Sequence, residues 1–216
     1  MPVITALEVQ QRNRQRVNVF LDGEFAFGLA MRYALFLKKG QALSTGQIAE
    51  LQNKDGIEKA YERTLNYLSY RPRSTAEVRQ YLKKLDIAEP ASDEIIGRLE
   101  ADNLLNDARF AQLWVDSRTT FRPKSQQLLK AELRQKGLDP ATADSAVQDV
   151  DDSALARALA QKRLPRLAGL PEQEQRQKLS AFLGRRGFRF SIIHSVLRQV
   201  LGASPDLNGE LYEDIE

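Results

Sequence analysis

The chain has no cysteine among its 216 residues, which excludes disulfides and thiolate metal sites and fits a reducing compartment. It has a single histidine, His194, set among Ile192, Ile193, Val196 and Leu197. A lone histidine without a thiol partner does not make a zinc site of the usual kind, so His194 is read as a core or boundary residue. No apolar run approaches the ~20 residues that span a bilayer, and Met1-Pro2-Val3-Ile4-Thr5 lacks the basic-then-apolar order of a signal peptide. A cytoplasmic protein without membrane contact is therefore expected. Also missing are a Gly-rich phosphate loop ending in Lys-Ser/Thr and a Gly-x-Ser-x-Gly nucleophile elbow. The carboxylate pairs Asp93-Glu94 and Asp151-Asp152 are read as helix starts, where the dipole favours them. No acids converge with a basic partner as a metal-dependent nuclease requires. Neither catalysis nor a cofactor is expected.

What is present is charge, unevenly placed. The net +3 hides ten Lys/Arg against four Asp/Glu between 151 and 202, followed by five acids and no base from 203 to 216. A basic third points to an anionic partner. The tail is too polar and acidic to pack; it is expected to be flexible, and either to compete for the basic surface or to serve only as a solubilising extension.

The first forty residues read as β-structure. Val3 to Val9 and Arg16 to Leu21 are β-rich, Asp22-Gly23 supplies a two-residue turn, and Glu24-Phe25-Ala26-Phe27 returns. Leu29 to Lys39 then shows helical spacing (Leu29, Tyr33, Phe36, Leu37) up to a stop at Gly40. From Ser44 onward the pattern is helical, with capping boxes at Ser44-Thr45-Gly46-Gln47 and Ser74-Thr75-Ala76-Glu77. Asp139-Pro140 and Pro171-Glu172 mark two further helix starts.

An internal repeat organises the rest. Arg71-Pro72-Arg73-Ser74 returns as Arg122-Pro123-Lys124-Ser125, a shift of 51 that also carries Leu82 to Leu133. A further shift of 50 carries Leu133 to Leu183 and Lys136-Gly137-Leu138 to Arg186-Gly187-Phe188. Three units of three helices result, at 56–105, 106–150 and 151–202. The expected fold is mainly α: three tandem three-helix repeats in an elongated array, preceded by a small β-hairpin element with a helix. Three short helices also form autonomous bundles, and the pattern leaves both packings open. The expected segments are 1–43 (hairpin and helix), 44–105 (linking helix and first repeat), 106–150, 151–202 and the tail 203–216.

The stretch from Thr64 to Val78, which includes Tyr67-Leu68-Ser69-Tyr70-Arg71-Pro72-Arg73-Ser74, resembles the first repeat of the RecX regulatory proteins. The resemblance continues through Leu104-Leu105-Asn106-Asp107-Ala108-Arg109-Phe110-Ala111, Trp114 to Arg118 and Ala131 to Leu138. It is looser in Lys178-Leu179 and Leu183-Gly184-Arg185-Arg186-Gly187-Phe188. Together these span roughly 56–201, and the β-element is similar to an extension that some members carry. There are two departures. Asp86 follows Lys83-Lys84-Leu85 where a glycine is usual, and Arg122-Pro123-Lys124 replaces a Gly-containing loop and stiffens it. The resemblance implies a non-enzymatic regulator of homologous recombination, DNA repair and the SOS response. Such a protein binds the RecA–single-stranded-DNA filament and restrains its growth, strand exchange and coprotease activity, and is expected to act as a monomer. A general single-strand-binding helical repeat is the alternative.

The candidate binding residues are the recurrent cations. Arg71 and Arg73 flank the first loop, with Arg122 and Lys124 in the equivalent place. Lys83 and Lys84, Arg134 and Lys136, and Arg185, Arg186 and Arg189 are assigned to the ends of the second helices. Singly, such cations do no more than complement a helix dipole; as a recurring set they suit a row of phosphates, acidic RecA side chains, or both. Trp114, spaced with Phe110 and Leu113, is expected to bury against the next unit rather than stack on a base.

Overall fold

The computed structural model describes residues 1–202; the expected acidic tail, 203–216, lies outside the described residues. The chain forms two compact units, one of Met1–Leu105 and one beginning at Asn106.

The first unit opens with three antiparallel strands in the order β1 (Ile4–Val9), β2 (Arg16–Leu21), β3 (Glu24–Ala30). Asp22 (φ 51°) and Gly23 (φ 92°) both take the left-handed conformation that a two-residue turn of matching twist demands. The hairpin therefore exists, but β1 joins it to make a three-stranded sheet. Pairing of Val17 with Leu29 and of Val19 with Phe27 sets one buried apolar face. This register overrides the helical spacing of Leu29 to Lys39. Leu29 belongs to β3 and is fully buried, helix α1 covers only Met31–Ala34, and Leu35 and Phe36 are left exposed.

Helix α2 (Thr45–Ser69) starts at the reciprocal Ser44–Gln47 capping box and packs Ile48 and Leu51 against the sheet. A buried ion pair fixes it there. Asp55 accepts from Arg16 Nη2 at 2.9 Å and from the Ala30 N–H at 2.9 Å, with Lys59 Nζ 2.8 Å away. Burial pushes the Asp55 carboxyl up, and the bonds from Arg16 and Lys59 outweigh it, holding the group below the usual range.

The later part of α2 packs with α3 (Thr75–Lys84) and α4 (Glu89–Ala101) around Ala60, Val78, Leu82, Ile95 and Leu99. In the second unit α5 (Asp107–Phe121), α6 (Gln126–Gln135) and α7 (Pro140–Val147) enclose Phe110, Leu129, Leu133 and Ala143. Helix α8 (Asp152–Arg163), a 3-10 turn (Leu164–Leu167), α9 (Glu172–Gly184) and α10 (Phe190–Leu201) enclose Ala156, Leu179, Leu183 and Ile193. The chain is thus mainly helical, with a separate core for each three-helix repeat. Leu82, Leu133 and Leu183, matched by the sequence shifts, all have zero exposure.

The three second helices stop in the same way. Gly137 (φ 84°) and Gly187 (φ 82°) take a left-handed conformation, and Asp86 takes it too at φ 56°. Asp86 therefore serves as the missing glycine, a role that aspartate tolerates better than most residues. Asp139 and Asp151 cap α7 and α8 as expected. Asp93 and Glu94, by contrast, lie within α4 rather than at its start, because the helix begins four residues earlier at Glu89-Pro90 and Asp93 turns to Arg79, 2.6 Å away.

Repeats two and three are joined by backbone. The Ser125 N–H donates to the Arg186 carbonyl (2.9 Å), and Arg186 Nη1 donates back to the Pro123 carbonyl (2.8 Å). The Gln126 N–H reaches Asp152 Oδ1 (2.8 Å), and its side-chain amide reaches the Val150 carbonyl (2.6 Å). Burial pushes the Asp152 carboxyl above its ordinary value, against the Gln126 N–H and the nearby Arg189 charge.

Candidate nucleic-acid interface

The Arg-Pro-basic-Ser loops are positioned by their serines, since Ser74 and Ser125 cap α3 and α6 through Glu77 N–H and Leu128 N–H. Each loop must leave a helix, accommodate a proline and open the next helix within four residues, which aims its first cation outward. In repeat one that cation, Arg71, folds back onto Glu77, with nitrogens at 2.9 and 3.1 Å from its two oxygens. Arg73 lies 3.9 Å above the Tyr67 ring, itself stacked on Tyr81 at 4.1 Å. In repeat two Arg122 is exposed and has no carboxylate partner among the described residues, whereas Lys124 pairs with Glu132.

Glu132 is a hub. It also accepts from Arg118 Nε at 2.8 Å and from Trp114 Nε1 at 2.9 Å, while Arg118 and Lys136 lie 4.2 and 5.0 Å from the Trp114 ring centre. Burial pushes the Glu132 carboxyl up, but the bonds from Lys124, Arg118 and Trp114 overcome this and hold it below its ordinary value. Trp114 therefore packs inside its own repeat, beside Phe110, and not against the next one as expected. Its indole N–H needs a partner, and α6 of the same repeat supplies it. His194 is partly buried beside the Phe190 ring, a boundary position.

The turns after the second helices hold the remaining cations. Lys83 and Lys84 end α3 and are exposed, with no carboxylate partner among the described residues, and Arg185 after α9 is the same. Arg134 is exposed, 3.7 Å from Asp144. Arg186 is half-buried and tied to Pro123. Arg189 is not at the end of the second helix. It is the residue before α10, where Gly187 and Phe188 have already turned the chain, and its charge acts on Asp152. Alignment on Asp86, Gly137 and Gly187 sharpens the recurrence. The three preceding positions read Lys83-Lys84-Leu85, Arg134-Gln135-Lys136 and Gly184-Arg185-Arg186. Each turn is basic, yet no single position is basic in all three.

The eleven candidate cations therefore divide. Arg71, Arg73, Lys124, Arg134, Lys136 and Arg186 have internal partners; Lys83, Lys84, Arg122 and Arg185 are exposed with no carboxylate partner among the described residues; and Arg189, exposed before α10, lends its charge to Asp152. Three cations outside that set, Lys162, Arg163 and Arg166, line a groove in the second unit. Lys162 and Arg163 end α8 and Arg166 lies in the 3-10 turn that follows, a one-turn spacing visible in the sequence but outside its repeated strings. Among the described residues, no three acids or histidines are grouped to hold a metal, and no helix is long and apolar enough to cross a membrane.

Tandem three-helix repeats, each with its own core and a basic turn after its second helix, make this a helical-repeat protein. Its sequence matches family models for the regulatory protein RecX N-terminal domain (residues 2–44) and for the first (60–99), second (106–147) and third (150–197) three-helix domains of RecX. It is 35% identical over 205 residues to the regulatory protein RecX of Bacillus subtilis (strain 168), covering 93% of this chain and 78% of that protein. The RecX of Bacillus pumilus (strain SAFR-032) is 35% identical over 204 residues, covering 92% and 78%. A crystal structure of regulatory protein RecX superposes with a TM-score of 0.77 at 30% identity, over 91% of this chain and 98% of the other. RecX from Lactobacillus salivarius gives 0.61 at 31% identity, over 68% and 97%. The chain belongs to the RecX family of regulatory proteins.

Proposed function

We propose that this chain is a non-enzymatic negative regulator of RecA, acting in the cytoplasm as a monomer. It binds the RecA–single-stranded-DNA filament through its basic turns and restrains filament growth, strand exchange and RecA-assisted repressor cleavage. Its working segments are 1–43, 44–105, 106–150 and 151–202. The observation that carries this reading is the set of unpaired outward cations, Lys83, Lys84, Arg122 and Arg185, at corresponding loops and turns of a RecX-family scaffold. A filament offers regularly spaced phosphates, and repeated cations engage such a lattice by counterion release. Side chains without internal partners lose no intramolecular bond on binding, which favours them over the paired ones.

The test is RecA ATPase on single-stranded DNA with substoichiometric amounts of the chain. The reading predicts a progressive loss of ATPase below one protein per RecA. Unchanged ATPase together with tight binding to naked DNA would leave only a general single-strand binder.

A further inference from the structure

We propose that the groove between repeats two and three is a binding site for one nucleotide of single-stranded nucleic acid. The proposal rests on the reading above in taking the filament's DNA as the ligand, and deepens it by giving that strand its own seat. The groove has a volume of about 410 Å³ and is walled by the end of α5, the end of α8, the following 3-10 turn and α9. Four cations line it, Lys162, Arg163, Arg166 and Arg186, and no carboxylate does among the described residues.

None of the four has an acidic partner among the described residues, unlike the cations gathered on Glu132 a short way along the same unit. Arg163 Nε is buried and has no hydrogen-bond partner among the described residues. A buried guanidinium donor without an acceptor is costly, and a phosphate oxygen would satisfy it. Arg163 and Arg186 lie 4.7 and 5.2 Å from the centre of the Phe182 ring, which holds both guanidiniums in the groove.

The rim supplies what a base needs. Phe121 ends α5 with 80% of its surface exposed, a large apolar ring left in water beside the cations. Tyr70, 51 positions earlier and likewise followed by Arg-Pro, is 84% exposed, so the exposed ring is a repeated feature of these loops. Cations tracking a phosphate beside an aromatic platform for an unstacked base make up the usual chemistry of single-strand recognition. A duplex keeps its bases stacked and presents none to Phe121.

The experiment is fluorescence anisotropy of a labelled oligothymidylate with the full chain, without RecA, comparing wild type with Lys162→Ala/Arg166→Ala and with Phe121→Ala. All three positions are exposed and each variant is expected to fold, as circular dichroism will check; Arg166→Gln alone serves as the milder variant. Each is expected to bind about tenfold more weakly or worse. An abasic site in the oligonucleotide should weaken wild type and leave Phe121→Ala unchanged. Wild-type affinity in the variants, or no oligonucleotide binding by wild type, overturns the proposal. RecA ATPase measured on the same proteins separates it from the broader reading. Inhibition that persists in variants binding DNA like wild type sinks the groove and spares the regulator. Inhibition lost while oligonucleotide binding is unchanged assigns the groove to an acidic protein surface, and overturns the nucleic-acid site.

Discussion

Repeats two and three are built on one plan and place much of their positive charge differently. In repeat two Glu132 gathers Lys124, Arg118 and the Trp114 N–H, with Lys136 5.0 Å from the centre of the Trp114 ring. Those cations close the first helix of the repeat onto its second. In repeat three Arg176 and Lys178 pair with Glu172 and Glu174 along α9, but among the described residues none gathers cations as Glu132 does, and Lys162, Arg163, Arg166 and Arg185 have no acidic partner. Counting basic residues therefore does not count binding residues. A cation already bonded to a carboxylate must lose that bond before it meets a phosphate.

The largest effect is expected at the joint between the two repeats. A Cβ at Gly187 would lie 2.7 Å from Ser125 Oγ and 3.0 Å from Leu128 Cβ, at a φ of 82°. Gly187→Ala should cost about 2–4 kcal/mol, combining left-handed strain with overpacking. Urea unfolding will measure it. A cost under about 0.5 kcal/mol would mean that the two repeats are not locked through this turn.

Next comes the hub itself. Glu132→Gln leaves Lys124 and Arg118 without their counter-charge and should destabilise the fold by about 1–3 kcal/mol. Because the folded Glu132 carboxyl is held below its ordinary value, its stabilisation is present above the unfolded value of about 4.3 and is lost as pH falls through the folded one. Trp114 emission should therefore change on acidification below about pH 4 in wild type and stay level in Glu132→Gln. Identical titrations would remove Glu132 as the reason repeat two holds its cations inward.

A smaller effect, of opposite sign, is expected in repeat one. Asp86→Gly relieves a left-handed aspartate and should stabilise the fold by about 0.5–1 kcal/mol, read as a rise in thermal midpoint. A lower midpoint would show that the Asp86 side chain contributes more than its backbone conformation costs.

The repeats were legible because short-range rules fix them. Capping serines, prolines at helix starts and the 51- and 50-residue shifts all act within a few residues of the chain, and the buried leucines follow. Helical spacing misled from Leu29 to Lys39 because pairing with β2 is a long-range term that spacing does not contain. The candidate site was legible as charge, not as geometry. Nothing local says that Lys124 meets Glu132 eight residues on, or that Arg186 bonds a carbonyl 63 residues earlier. The groove is not legible in the sequence for the same reason, since Phe121, Lys162 and Phe182 come together only in the folded chain.

The central claim is that unpaired cations, and not paired ones, carry filament binding. Its most direct test is the salt dependence of binding to RecA–single-stranded-DNA filaments, titrated from low to moderate ionic strength. Each phosphate contact contributes about −0.7 to the slope of log K against log salt. Replacing Lys83, Lys84 and Arg185 by Ala should flatten the wild-type slope by about 2, while Arg71→Gln leaves it unchanged. A wild-type slope near zero, or equal flattening by Arg71→Gln, would contradict the account.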